Sequence, residues 1–575
     1  MAPLLLVLSL LAVSIAATTP SVEVGVAVPM RDGTVLRADV YRAPGAAPSP
    51  VLLCRTPYGR RHHAGSDLVA SAVKRGYVVV VQDVRGRYDS AGAFDPYRNE
   101  GRDGFDTIEW AARQPWSDGR VGCFGISYPG AVQWLAAVEA PPHLQAMAPV
   151  MTFSHPENFF YAGGVLDLSW LPWIWNSIAP ASRARAGLAG PRSDDEASRE
   201  WARVQADLYR RLPLSALDEL RLVAPFFFEW LEHPPGDPWW DFAELRDRYG
   251  RVTAAVLNLS GWHDEAYGPE GAVTNHAGLV AARGEGNARS RLVLGPWAHG
   301  TPPRGGGLVG ARDMGPEAAF DYNETLLRFM DHHLRGHANG EEREPAVRVF
   351  VMGEGRWLSA DRWPLPGTRL LELHLAAGTP GRLAQTADAK GEATSSIASD
   401  PLHPVMDPHA GEAGARDYRA LATDPGVAVF ETEPFATELR VVGAIEAELH
   451  VSVDAPDADV WVRLFDVAPE GTAWNLMSPG ADVTRASYRD GGPERKLLAP
   501  GEIVVLHWRR LYTGNLFRRG HRLRLVVAPS FFPAFSRNLQ TGELETHTSA
   551  SRTATITLHH STEHDSKLFL PVVPD

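Results

Sequence analysis

The sequence predicts an α/β domain, interrupted by a helical insertion and followed by an all-β domain. Three observations carry that prediction. From Val22 to about Val150, apolar strand runs alternate with helical segments, the order in which strands pair in parallel. Phe159 to about Arg248 is rich in tryptophan and phenylalanine, has helical stretches such as Asp194–Leu212, and lacks a strong strand run. Beyond Leu334, prolines, glycines and short alternating apolar runs take over. At 575 residues the chain exceeds a single core. The expected division is 22–150 and 249–335 for the α/β domain, 151–248 for a helical cap, and 345–575 for the β domain.

Val51–Cys54 and Tyr77–Val81 read as the first buried strands of the parallel sheet. Arg120–Phe124 reads as another, and Ala131–Val138 as the helix that follows it. Between them stands Gly125-Ile126-Ser127-Tyr128-Pro129-Gly130. Small residues on both sides of a strand–helix corner let strand and helix approach closely, with the serine at the tip. The pattern departs from G-x-S-x-G, because Pro129 stands where the second glycine would and Gly130 follows it. Proline is tolerated in a first helical turn, where its missing N–H goes unused.

Two later strand runs end in chemistry-bearing residues. Val256–His263 is followed by Asp264, and Arg291–Ala298 by His299. The chain order Ser, Asp, His is that of α/β-hydrolases, whose nucleophile, acid and base hang from the C-terminal ends of parallel strands. Ser127 needs a base to attack at neutral pH; His299 takes its proton, and Asp264 holds the imidazole in the right tautomer. His263 is the rival base. It neighbours Asp264, and adjacent residues on an extended segment face opposite ways, which disfavours it. His62-His63 and His332-His333 read as loop and helix-surface residues. No Cys/His spacing of a zinc site is present, so no metal and no cofactor is expected.

After the β-branched and apolar core of the α/β domain, the runs Leu449–Val453, Val460–Phe465 and Leu523–Val527 alternate or continue between turn clusters, as in a β-sandwich. Ala376–Asp407 reads as a polar, exposed loop. In the cap, Trp170, Trp173 and Trp175 either wall an acyl pocket or pack the cap onto the body of the protein.

The chain resembles the family that includes cocaine esterase, the α-amino-acid ester hydrolases and the X-prolyl dipeptidyl peptidases. The segments that carry the resemblance are Met30–Thr34, Ala38–Tyr41, Arg55–Gly59, Gln82–Arg87, Gln114–Gly119, the serine motif, Gly261–Asp264, Gly295–His299, Phe517–Leu523, and Phe532-Pro533 through Asn538. They span almost the whole chain after its first residues. The resemblance implies that the β domain is a jelly roll. It also implies that the Tyr58 hydroxyl and the Tyr128 backbone N–H form the oxyanion hole, a pairing that suits charge developing on a carbonyl oxygen. It implies cleavage of an ester or amide of a small acyl substrate or short peptide. Release of X-Pro dipeptides is an alternative that needs an anchor for a free α-amino group. α-Amino-acid ester hydrolases carry further carboxylates shortly after the triad aspartate. Here Ala266 and Tyr267 stand two and three positions beyond Asp264, Glu265 alone does not replace them, and a generic carboxylesterase is favoured. An inactive hydrolase scaffold with a carbohydrate-binding or assembly module is the reading from a different class.

Composition fits a globular enzyme, with 44% hydrophobic and 22% charged residues. A net charge of −13 without a basic run argues against nucleic acid. Leu4–Val13 is apolar but too short to span a bilayer, and Ser14-Ile15-Ala16-Ala17 follows as a small-residue cleavage site. Residues 1–17 therefore read as a secretory signal peptide, although the leading segment lacks Lys and Arg, and a secreted or periplasmic protein without stable membrane insertion is expected. A homo-oligomer is open. Cys54 and Cys123 end strands expected to be neighbours; a bridge is conceivable, and buried free thiols are the favoured state.

Overall fold

The computed structural model describes residues 21–574, apart from 285–288, 388–392, 479 and 481. The expected signal segment, 1–17, lies outside the described residues. Among the described residues no helix is long and apolar enough to cross a membrane.

Ten strands form the first sheet: β1 (Ser21–Pro29), β2 (Val35–Arg42), β3 (Ser49–Thr56), β4 (Val78–Asp83), β5 (Ser117–Ile126), β6 (Leu144–Val150), then, beyond a two-residue-stranded hairpin β7 (Tyr161–Ala162) and β8 (Val165–Leu166), β9 (Ala255–His263) and β10 (Ser290–Ala298), and beyond a second small hairpin β11 (Leu308–Val309) and β12 (Arg312–Asp313), β13 (Val347–Val351) and β14 (Arg356–Ala360). Their spatial order is β1-β2-β4-β3-β5-β6-β9-β10-β13-β14. From β4 to β13 every neighbouring pair is parallel. Strands in that position are covered on both faces, which is why Val78–Val81 is a continuous apolar run with no alternation and every residue of Ala255–His263 is buried.

Helices supply the two covers. On one face α2 (Glu100–Ala112) and α3 (Tyr128–Ala137) bury Ile108, Trp134 and Leu135. On the other, α1 (Asp67–Lys74), α8 (Glu270–Arg283) and α9 (Tyr322–Arg335) bury Val69, Val273, Leu326 and Met330. Between β6 and β9 lies the insertion, with α4 (Trp170–Trp173), α5 (Ala179–Ala186), α6 (Asp194–Arg210) and α7 (Pro225–Glu232). Its apolar side chains merge with the core over α3. Helix α6 begins at Ser193, whose hydroxyl accepts from the Glu196 amide, and Asp194, Asp195 and Glu196 face the positive end of the helix dipole.

Two segments differ from the sequence reading. Val347–Ala360, placed by sequence in the β domain, extends the first sheet: Leu292 and Leu294 pair in parallel with Val347 and Val349. Period-two alternation marks a half-buried strand but carries no information on which sheet it joins. Within 376–407, read as an exposed loop, Gly381–Ala384 and Thr394–Ser399 are strands with Leu383 and Ile397 buried in the second core. Their brevity and polar flanks hid them.

The second β system spans residues 369–572. Along its long strand Leu439–Val453, buried and partly exposed positions alternate, as one-sided packing requires. It grips both parts of the first domain. Met352 exchanges backbone hydrogen bonds with Gly514 and Leu516, each 2.8 Å, and Arg485, Ala534 and Ser536 bond the backbone of Gly163, Leu168 and Leu166 in the insertion.

Cys54 and Cys123 are both free and buried. Leu53 pairs with Cys123 across β3 and β5, so Cys54 faces the opposite side of the sheet from Cys123, and each packs in a different core. Burial pushes both thiols up to about 12. A thiol reagent is therefore expected to find two thiols in the denatured protein and none in the folded one, and a reductant should leave the melting temperature unchanged. Rapid labelling of the native protein, or a reductant-dependent loss of stability, would contradict this geometry.

Candidate active site

Ser127 sits at the junction of β5 and α3, with φ 67° and ψ −130°. Its amide donates to the Val150 carbonyl of the neighbouring strand at 2.9 Å, while Gly130 and Ala131 donate back to the Ser127 carbonyl. The corner is closed by glycine: a Cβ at position 130 would stand 2.7 Å from the Val150 oxygen, and one at 125 would run into Pro129. The half-buried serine hydroxyl is thereby exposed at the C-terminal edge of the sheet. As the first residue of α3, Tyr128 offers an amide with no acceptor inside the helix.

Adjacent parallel strands deliver the other two expected residues. In the β9–β10 register Ala298 lies opposite His263, so the next residue of each strand, His299 and Asp264, emerge side by side. His299 Nδ1 and Asp264 Oδ1 are 2.7 Å apart. The Asp264 carboxylate is fully buried and accepts from the Ala266 and Tyr267 amides and the Ser260 hydroxyl. The Glu265 carboxylate accepts the His299 amide at 2.9 Å. Burial works to lower the pKa of His299, but the charge and hydrogen bond of Asp264 outweigh it and hold the imidazole above the ordinary histidine value. His263 has the opposite fate. Burial and the nearby Arg312 push it down to about 3, and among the described residues neither ring nitrogen has a hydrogen-bond partner.

Tyr58 faces the serine from the loop after β3. The loop is held at every residue: the Tyr58 amide donates to Thr56 Oγ1, Arg87 Nε to the Pro57 carbonyl, and the Tyr88 hydroxyl to the Tyr58 carbonyl. The Tyr58 phenol and the Tyr267 phenol both stand near the Ser127 side chain. Tyr267 in turn lies 2.8 Å from the Tyr97 hydroxyl. Tyr128 turns its ring inward, where its hydroxyl donates to buried Glu100.

Of the cap tryptophans, Trp173 reaches this constellation, its indole Nε1 lying 3.1 Å from the Tyr58 oxygen. Trp170 is buried against Phe160 and Trp230, and its indole donates to the Phe159 carbonyl. Trp175 packs on Trp201 and Arg183. Sequence reasoning missed Tyr97, Arg87 and the inward phenol of Tyr267. Gly86-Arg87 stood in a noted motif, but nothing in the motif tells that its guanidinium reaches the insertion. A cavity of about 540 Å³ adjoins Asp264 and Tyr267, with Phe159 and Asp167 from the insertion and Met477 and Tyr512 from the second domain on its walls. Burial pushes the Asp167 carboxyl up to about 7. Among the described residues Glu372, His374 and Asp565 could together hold a cation, but they lie in the second domain, with the Lys567 ammonium 3.0 Å from Glu372.

The fold and this arrangement define a serine hydrolase of the α/β-hydrolase class with a C-terminal β domain. Residues 32–301 match the family model described as X-Pro dipeptidyl-peptidase (S15 family), and residues 339–569 match the X-Pro dipeptidyl-peptidase C-terminal non-catalytic domain. Cocaine esterase of Rhodococcus sp. (strain MB1 Bresler) is 32% identical over 96% of this chain and 99% of its own length. The chain belongs to this family of serine hydrolases. An aminopeptidase from a marine sediment Thaumarchaeota archaeon shares the fold with a TM-score of 0.82 at 23% identity, covering 97% of this chain and 96% of its own. An α-amino acid ester hydrolase shares it with a TM-score of 0.80 at 24% identity, covering 98% of each chain.

The electrostatics of His299 set an expected pH profile. A general base must be neutral, so if His299 is that base, activity should be lost as pH falls through its folded pKa. With that pKa raised by Asp264, the acid limb of kcat/KM for ester hydrolysis should lie above 6.5, the unperturbed value. Asp264→Asn should move it down and lower kcat by about 10⁴-fold. An acid limb below 6.5 in the unmodified enzyme, or one unmoved by Asp264→Asn, would exclude this pair as its origin.

Proposed function

We propose that this hydrolase cleaves esters or amides of small acyl substrates through an acyl-enzyme. The 2.7 Å contact between His299 Nδ1 and Asp264 Oδ1 carries the reading. It fixes Nδ1 as the protonated nitrogen and leaves Nε2 as the proton acceptor for Ser127. Ser127 Oγ attacks the carbonyl carbon as its proton passes to His299. The oxyanion that forms is held by the Tyr58 phenol and the Tyr128 amide. His299 then protonates the leaving alcohol or amine, and a water activated by the same imidazole releases the acid. No cofactor enters these steps.

The proposal extends to three further points. A generic carboxylesterase is favoured, because Ala266 and Tyr267 occupy the positions where carboxylates would anchor a substrate amino group. A second reading, hydrolysis of amino-bearing substrates including X-Pro dipeptides, is supported by one observation: Asp167, from the insertion, lines the cavity beside Asp264. The one-sided burial along Leu439–Val453 supports a jelly-roll sandwich for the second domain, and the Leu4–Ala17 segment supports export.

A fluorophosphonate should label Ser127 and nothing in Ser127→Ala; an unlabelled native protein would instead support an inactive scaffold. His299→Ala should abolish turnover while His263→Ala keeps most of it. Among p-nitrophenyl esters, amino-acid esters and Gly-Pro-p-nitroanilide, the simple esters should turn over fastest, and preference for the anilide would establish the second reading.

Removal of the phenol hydroxyl tests the oxyanion hole. Because that charge exists only after attack, Tyr58→Phe should cut kcat by about 10²–10³ with KM little changed. Near-normal kcat would remove Tyr58 from the mechanism. For export, protein recovered from outside the cytoplasm of its native host should begin at or near Ala17 or Thr18; Met1 at its N-terminus would refute a cleaved signal.

A further inference from the structure

We infer that Trp173 is a positioning residue for the oxyanion hole, its indole N–H fixing the Tyr58 hydroxyl as a donor toward the reacting carbonyl; the inference rests on the role proposed for Tyr58. A phenol has one proton to give and lone pairs to receive, whereas an indole N–H only donates. The 3.1 Å contact between Trp173 Nε1 and the Tyr58 oxygen therefore has a single polarity. Tyr58 accepts from Trp173, and its own proton is left for the side on which Ser127 stands. An accepted hydrogen bond also polarises the O–H that donates onward.

The geometry around the indole is built to hold that direction. Its ring stacks on Tyr128 with an interplanar angle of 13°, and meets Trp170, Phe94 and Phe226 edge-on or tilted, with centroids 5.0–6.5 Å away. Trp173 ends α4 and is followed by a π-helical turn, Ile174–Ile178. Pro180, in the first turn of α5, has no N–H to offer the carbonyls of that turn.

Arg87 binds two other carbonyls, at the C-terminal end of that turn. Its guanidinium, in a side chain only 1% exposed, donates to the carbonyls of Ser177 and Ile178, to Ser182 Oγ and, on the other side, to the Pro57 carbonyl. All these acceptors are neutral oxygens, and desolvation lowers the pKa of the group. A buried cation held by neutral acceptors is costly. What it secures here is the spacing between the loop that carries Tyr58 and the turn that carries Trp173. Burial raises the pKa of the Tyr58 phenol, and the Arg87 charge only partly opposes it.

A double-mutant cycle tests this. Trp173→Phe keeps an aromatic ring and deletes the N–H. Turnover of a p-nitrophenyl ester is measured for the native enzyme, Trp173→Phe, Tyr58→Phe and the double variant, with kcat normalised to sites titrated by a fluorophosphonate so that misfolded protein is not counted. Trp173→Phe is expected to lower kcat about tenfold, the worth of one hydrogen bond, with KM unchanged, and to cause no further loss in the Tyr58→Phe background. A rise in KM at constant kcat would make Trp173 a pocket wall and overturn the inference. So would an equal loss in both backgrounds, which would mark a structural role independent of Tyr58. If Tyr58→Phe alone leaves kcat intact, the oxyanion role of Tyr58 fails and this inference falls with it, a result separable from the other two by that single variant.

Discussion

The backbone at Ser127 is the constraint from which the rest follows. A non-glycine residue at φ 67° and ψ −130° costs about 1–3 kcal/mol, and it persists only where the surroundings over-determine it. Here strand β5 feeds the corner from one side and α3 leaves from the other, with the Val150 carbonyl pinning the Ser127 amide from the neighbouring strand. Such a corner needs a sheet wide enough to be rigid. Seven parallel strands around it, buried on both faces, meet that need and also place Asp264 and His299 at the same edge.

Below the corner, several residues of the motif segments form a lattice of buried charged and polar groups. Arg55 pairs with Glu100 at 2.7 Å and donates to Gln82, and Glu100 in turn accepts from the Tyr128 hydroxyl. Arg60 joins Asp39 and Asp83, with Asp89 at the surface. Pairs of this kind contribute little net stability, because desolvation offsets the attraction, but losing one partner strands the other charge. Their effect is positional. They tie β2, β3, β4 and α2 together beneath the Tyr58 loop, which is why Arg55, Gln82 and Asp83 sit in recognisable motifs although only their neighbours approach the serine.

How much of this the sequence disclosed depends on the kind of information each feature uses. The serine corner and the strand-terminal Asp264 and His299 are local patterns, a glycine-flanked turn and apolar runs with a polar end, and both were legible. The sheet to which Val347–Ala360 belongs is a long-range pairing, and period-two alternation is the same in either sheet. Trp173 and Trp170 were indistinguishable in sequence, three residues apart on one short helix. Only the π-helical turn and the grip of Arg87 turn one toward Tyr58 while the other is buried among Phe160 and Trp230. Tyr267 was noticed for what it is not, a carboxylate, and its phenol beside Ser127 appeared only in three dimensions.

The contrast between His263 and His299 shows how one register separates an imidazole paired with a carboxylate from a buried one that is unpaired among the described residues. His263 is the last residue of β9 and is fully buried near Arg312, where a proton would add charge next to a cation. One residue later the chain turns, and Asp264 faces the other way. His299 reaches that carboxylate because Ala298 pairs with His263, so a one-residue slip of β10 against β9 would move a different side chain opposite Asp264. The two histidines therefore start from the same intrinsic basicity and are driven apart, one to about 3 and the other above its ordinary value, by strand alternation and pairing. Sheet register alone thus decides which of the two imidazoles meets the Asp264 carboxylate.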